Sequence, residues 1–201
     1  MTRHNPTRPN RINPIKSIGP GILHIAVHNA GVVVLWPFLP RYFETLGLVR
    51  SGQFVDPAAS QRAMYLVYFL ATGVWAPQEP ELVLAKLMCG LPIDTPVVDA
   101  DDNPPTEQER ALSNSLLHAV MQSSVYLKDT SVDALRKTLL MRDGSLRLDD
   151  VAPGAGWELF VQRTVSTDPL IDTLPWSPGG PMQFSWMPQP LLVRWETGSR
   201  G

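Results

Sequence analysis

Four groups of residues in this 201-residue chain have the types and spacing to do chemistry. His24 and His28 are four apart. On a helix they would share a face and bind one metal ion. Leu23, Ile25 and Val27 alternate with His24, Ala26 and His28, however, and that period of two predicts a strand. At ~3.3 Å per residue the two imidazoles then sit ~13 Å apart, too far for one ion. No glutamate follows the first histidine as an HExxH site requires. Asp99, Asp101 and Asp102 crowd like cation ligands but lack the glycine and downstream glutamate of an EF-hand loop, so a solvated acidic loop is expected. Asp168 and Asp172 resemble paired carboxylates. Pro169 lies between them and no partner groups accompany them, which suits turn and cap residues better. Cys89 ends an apolar helix beside Met88 and Leu91 and reads as a buried, inert thiol. As the single cysteine it excludes an internal disulfide and a multi-cysteine zinc site. No phosphate-cradling GxGxxG or GxxxxGK[ST] and no GxSxG is present. The expectation is no enzyme, no cofactor and no metal.

The elements that would position such groups are more informative. Asn29-Ala30-Gly31-Val32-Val33-Val34-Leu35-Trp36-Pro37-Phe38-Leu39-Pro40 is too apolar for a surface loop. Its glycine and two prolines exclude one plain helix or strand. The spacing predicts a strand at 23–27, a break at 29–31, a strand or buried helix at 32–35, and a helix begun by Pro40 and closed near Gly47. Asp56-Pro57 predicts an N-cap and first turn, with Gly73 as the C-terminal glycine of that helix. A further helix spans Leu82–Met88. Thr106 and Glu109 form a capping box for the longest one, predicted to run to about Leu127 on Leu112, Leu116, Leu117, Val120 and Val125. Ser131 caps a shorter helix with Leu135, Leu139 and Leu140. After Gly144 the period becomes two: Leu146 and Leu148 alternate with Arg147 and Asp149, the Pro153–Gly156 loop turns the chain, and Trp157, Leu159 and Val161 alternate with Glu158, Phe160 and Gln162, which predicts a hairpin across 145–163. Leu174 to Trp195 supplies one or two short extended segments. The fold class is therefore α+β: a core of four to five helices with a small antiparallel sheet near the C-terminus.

Hydrophobic residues at 44% and charged residues at 18% fit a folded chain. Residues 1–20 hold Arg3, Arg8, Arg11 and Lys16 and no acid, and the other 13 basic residues face all 19 acidic ones. The predicted organisation is a basic, Pro/Asn-rich disordered arm at 1–20, one globular domain at 21–196 and a tail at 197–201. The arm could touch nucleic acid or an acidic surface, but four spread charges make a weak patch. Residues 21–39 could pass for a signal-anchor, but His24, His28, Asn29 and Pro37 interrupt them, so no membrane insertion is expected.

In one order, the blocks of this chain resemble the tape measure proteins of contractile injection systems, phage-tail-like particles with a sheath around an inner tube. The first is Asn29–Pro40 with Phe43 and Leu46-Gly47-Leu48. Gln61-Arg62-Ala63 follows, leading to Leu70-Ala71-Thr72-Gly73, and then Glu81–Pro92 with its lysine and cysteine. Thr106–Glu109, Thr130–Arg136, Leu140–Gly144, Trp157-Glu158-Leu159 and Leu174-Pro175-Trp176 complete the set. The resemblance covers about Ile22 to Trp195. It implies a non-enzymatic structural or assembly component that docks to tube, baseplate or cap proteins. The location implied is cytoplasmic, with incorporation in the assembled particle. A ruler would need a long helical rod, at ~1.5 Å per residue. No such pattern is present, so the chain looks like the family's globular module without the ruler. A cytoplasmic chaperone or adaptor for a longer tape measure protein is the alternative, and a small hydrolase using His24, His28 or the aspartates is a third. Partner contact is expected at Trp36, Phe38, Leu39, Trp176, Trp186, Arg3, Arg8 and Arg11. Each fits a core or tail position equally well.

Overall fold

The computed structural model describes residues 15–17, 22–75, 77–97, 103–149, 156–164 and 168–197. The chain starts with β1 (Ile15–Ser17) and β2 (Ile22–Val27) and passes through a 3₁₀ segment, Ala30–Leu35, into α1 (Leu39–Thr45). A two-stranded ribbon, β3 (Val49–Arg50) and β4 (Gln53–Phe54), leads to α2 (Pro57–Thr72). A 3₁₀ turn at Glu79–Leu82 feeds α3 (Val83–Met88), followed by α4 (Glu107–Gln122) and α5 (Val132–Leu135). The last continues as a π-helical turn, Arg136–Leu140. Then come β5 (Gly144–Asp149), β6 (Trp157–Arg163), α6 (Asp168–Asp172), β7 (Gly180–Met182) and β8 (Leu191–Thr197).

The architecture is α+β, as the sequence predicts, and the sheet is larger than the expected hairpin. Six strands run in the order β1-β2-β5-β6-β8-β7. The 145–163 hairpin is its centre, flanked by the N-terminal strands on one side and the C-terminal pair on the other. β6 and β8 are parallel; every other pair is antiparallel. Direct register aligns Ile25, Leu146, Leu159 and Val193 across four strands. All four are buried and form the sheet's contribution to the core. Ile15–Ser17, assigned to the arm by composition, pair with β2 as an edge strand, and Thr197, assigned to the tail, ends β8.

The caps follow local chemistry. Asp56 Oδ1 accepts from Ala59 N at 2.7 Å, and Gly73 closes α2 at φ +75°. Thr106 and Glu109 make both bonds of the capping box. Ser131 accepts from Ala134 N. α2 is buried over most of its surface, as its scarcity of polar residues predicts.

Two local expectations are corrected. α4 stops at Gln122 rather than Leu127, and Val125 is 71% exposed instead of lying on the buried stripe. Ser123 Oγ donates to Ala119 O, and Ser124 Oγ accepts from Tyr126 N. These local bonds compete with the helical ladder. Val32–Leu35 is the buried helix of the two expected alternatives, of the 3₁₀ kind, but it begins at Ala30, inside the break expected at 29–31. Among the described residues no helix is long and apolar enough to cross a membrane.

Candidate functional site

The 3₁₀ segment lies in the core, with β6, α2 and the π turn packed around it. Asn29, 5% exposed, donates from Nδ2 to Glu81 O at 3.4 Å, and Ala30 N donates to Arg142 O at 2.9 Å. Gly31 meets the π turn so closely that a Cβ there would lie 1.8 Å from Leu139 O. A glycine is required at this point for approach rather than for a left-handed φ.

The aromatic, proline-broken stretch after α6 straps over this segment and α1. Trp176 Nε1 donates to Val34 O at 3.1 Å, and Trp36 Nε1 to Ser177 O at 3.2 Å. The rings of Phe38 and Trp176 meet edge-on with centroids 5.1 Å apart. Further along, Phe184 and Trp186 stack at 4.7 Å. Trp186 also contacts Phe43 and Phe54 and donates from Nε1 to Met88 O at 3.0 Å. Gln53 Nε2 donates to Ser185 O, and Ser185 Oγ to Gly52 O, so the strap also grips the β3–β4 ribbon. An apolar trough of about 480 Å³ runs beside Trp186, between Leu87, Leu91, Trp157, Met187 and Pro190.

The structure sorts the predicted contact residues. Trp36, Phe38, Trp176 and Trp186 come together as the seam between Asn29–Pro40 (the signature segment, first of the blocks that carry the family resemblance), α1 and the strap. Each is half-buried, and each of the three indole N–H groups is satisfied by this chain's own backbone. Leu39 is fully buried in the core and presents no surface, which corrects its assignment as a contact residue. Its position at the start of α1 faces it inward beside Phe43. Arg3, Arg8 and Arg11 lie outside the described residues.

The candidate chemical groups are dispersed. His24 lies in β2 opposite Arg147 of β5, and no metal-binding cluster of three acids, histidines or cysteines occurs among the described residues. His28 is exposed and bonded through Nδ1 to Asp143 Oδ1 at 2.6 Å. Asp172 pairs with Arg163. Cys89 is buried, and burial pushes its thiol well above the ordinary range, away from nucleophilic use. Asp99, Asp101 and Asp102 lie outside the described residues.

Buried polar contacts hold the helices that carry the seam. Arg62 bonds Glu109 in a fork, Nε to Oε1 at 2.8 Å and Nη2 to Oε2 at 2.6 Å, and lies 4.6 Å from the centre of the Trp75 ring. Burial pushes the Glu109 carboxyl up, but bonds from Arg62 and Thr106 and the Arg62 charge outweigh it and hold the group below the usual carboxylate range. Lys86, 1% exposed, donates to Glu79 Oε1 at 3.1 Å and to Ile93 O at 3.0 Å. Arg136 donates from Nε to Leu70 O and closes the C-terminal end of α2 beside Gly73. Tyr42 hydroxyl and Ser113 Oγ, both buried, join α1 to α4 at 2.8 Å. The capping box marks Glu109 in the sequence, but its partner stands 47 residues away and no local signal identifies it.

Taken together the arrangement is one of interlocked packing, with aromatic edges left at a seam. A family model described as contractile injection system tape measure protein matches residues 3–195. No curated protein and no solved structure matches the chain.

Proposed function

Because the chain belongs to the contractile injection system tape measure protein family, we propose that it is a non-enzymatic docking module of such a particle, seated against tube, baseplate or cap proteins. The family match over nearly the whole chain carries this reading. The half-buried aromatic seam supports it. Trp36, Phe38, Trp176 and Trp186 are fixed by their own chain and so present their exposed edges at little further entropic cost, as interface anchors do.

The module is not a ruler. The longest described helices, α2 and α4, have 16 residues each. Each therefore spans about 24 Å at ~1.5 Å per residue. The globular body runs from β1, which starts at Ile15, to the end of β8 at Thr197. Assembly takes place in the cytoplasm, and the chain stays with the particle.

Quantitative mass spectrometry of purified particles tests this. The docking role requires the chain in fixed, small stoichiometry to the tube protein. A chain present in the producing cells and missing from intact particles would instead be a chaperone for a longer tape measure protein.

A further inference from the structure

The signature segment opens on an asparagine at the N-cap position that does not cap. Asn29 precedes the 3₁₀ segment, yet its side chain makes no capping bond. Its Nδ2 donates instead to Glu81 O at 3.4 Å. That bond fixes the orientation of the amide and leaves Oδ1 as an acceptor without a partner among the described residues. Asn29 is 5% exposed, and an acceptor placed so deep is normally paired. The opening that the residue does reach is a cleft of about 240 Å³ at the end of β2, lined also by Val27, His28, Tyr68, Glu81 and Met141.

Glu81 is the one carboxylate among the lining residues, and no lysine or arginine lines the cleft. Glu81 Oε2 accepts from Gln78 N at 2.8 Å, which holds the carboxylate in place. The Tyr68 ring, 6% exposed, forms the floor. Burial, and after it the Glu81 charge, pushes the Tyr68 hydroxyl up to about 12, so it is neutral at pH 7. His28 is turned away to Asp143, through Nδ1. Met141, 45% exposed, and Pro80 give the cleft apolar walls. A carbonyl and a carboxylate thus stand over a flat aromatic surface with no cation to serve them. A neutral donor would satisfy Asn29 Oδ1 and leave Glu81 without a counter-charge. An ammonium is a point charge with no flat face. A guanidinium carries its donors in a planar fork, so it stacks on a ring and serves two acceptors at once.

We propose that this cleft receives one arginine side chain of the particle protein on which the module docks, its guanidinium shared between Asn29 Oδ1 and the Glu81 carboxylate over the Tyr68 ring. The site adds a charged anchor to the docking face, separate from the aromatic seam. The inference rests on the docking role for the source of the arginine, and on the cleft alone for its chemistry.

The probe is N-acetyl-arginine N-methylamide, titrated at pH 7 into the full isotope-labelled chain, with the citrulline analogue as its uncharged isostere. Saturable shifts are expected at the Asn29 side-chain amide and at the backbone amides of His28 and Glu81, with Val125 and Tyr126 unmoved. The citrulline analogue should bind about fivefold more weakly, because hydrogen bonds from an ionised donor are roughly twice as strong as neutral ones. Glu81→Gln, which keeps an acceptor for Gln78 N, and a rise in salt from about 0.02 to about 0.5 M should each weaken the arginine probe about threefold. Absence of saturable shifts, equal binding of the two probes, or indifference to Glu81→Gln in a chain whose other signals are unchanged would each overturn the proposal. Cleft signals that move on dilution of the chain alone would assign the cleft to a second copy and overturn it too. Particle composition reads the docking role separately. A chain missing from particles would end that role and leave arginine binding intact, whereas a failed titration of a chain that particles do contain would end only the cleft assignment.

Discussion

Gly31→Ala tests whether the signature segment is a packing element. An ideal Cβ at this position falls 1.8 Å from Leu139 O, 2.9 Å from Leu139 C and 3.0 Å from Leu140 Cα. All three are backbone atoms, so no rotamer change relieves the overlap. Relaxed carbon–oxygen contacts lie at about 3.3 Å, so the 3₁₀ segment and the π turn must separate by about 1.5 Å. Overpacking of this kind costs about 1–3 kcal/mol. Separation also pulls on the Ala30 N–Arg142 O bond at the same junction, worth about 1 kcal/mol. The expected loss is about 2–4 kcal/mol, a large part of a typical total of about 5–15. Urea unfolding followed by tryptophan fluorescence should show the midpoint fall with the slope unchanged. The control is Gly47→Ala. Gly47 has φ +72° and no atom within 4 Å of the added carbon, so it carries only the conformational penalty, about 1 kcal/mol. A Gly31→Ala loss no greater than that of Gly47→Ala would refute the close-approach argument.

Trp176→Phe removes the N–H that reaches Val34 O and should cost about 1–3 kcal/mol, read by the same unfolding curves. A change under about 0.5 kcal/mol would mean that the strap does not hold the signature segment. Glu109 titrates below its usual value in the folded chain. Its contribution is therefore present above the unfolded value of about 4.3 and lost as pH falls through the lower folded value. The stability gap between the native chain and Glu109→Gln should be wider at pH 6 than at pH 2. A gap independent of pH would contradict the assignment. Cys89 should stay unreactive toward a thiol reagent at pH 8 until denaturant is added, and reaction in the native chain at the rate of free cysteine would contradict its burial.

What the sequence made legible was local. Asp56-Pro57 with Gly73, Thr106 with Glu109 and Ser131 each bound a helix through bonds spanning three or four residues, and such bonds are written in neighbouring letters. Alternation likewise exposed β2, β5 and β6. What was not legible is long-range. Nothing local says that β8 lies parallel to β6, because that pairing depends on the path from Arg163 to Leu191. The fates of Trp36, Trp176 and Trp186 are set by carbonyls 98 to 142 residues distant. Leu39 and Trp36 look alike in a hydrophobic run, and only the crossing of the 3₁₀ segment into α1 buries one fully and leaves the other at the seam. The end of α4 was misplaced because the apolar period continues through Val125, while the serine bonds that stop the helix act through geometry.

The central claim is that these residues build and dock rather than measure. The direct test depletes the chain in graded steps in the producing cells and records both the number and the sheath length of the particles. Particle number is expected to fall with the chain while the lengths of surviving particles stay at one value. Lengths that shift as the chain is depleted would contradict it and restore a measuring role.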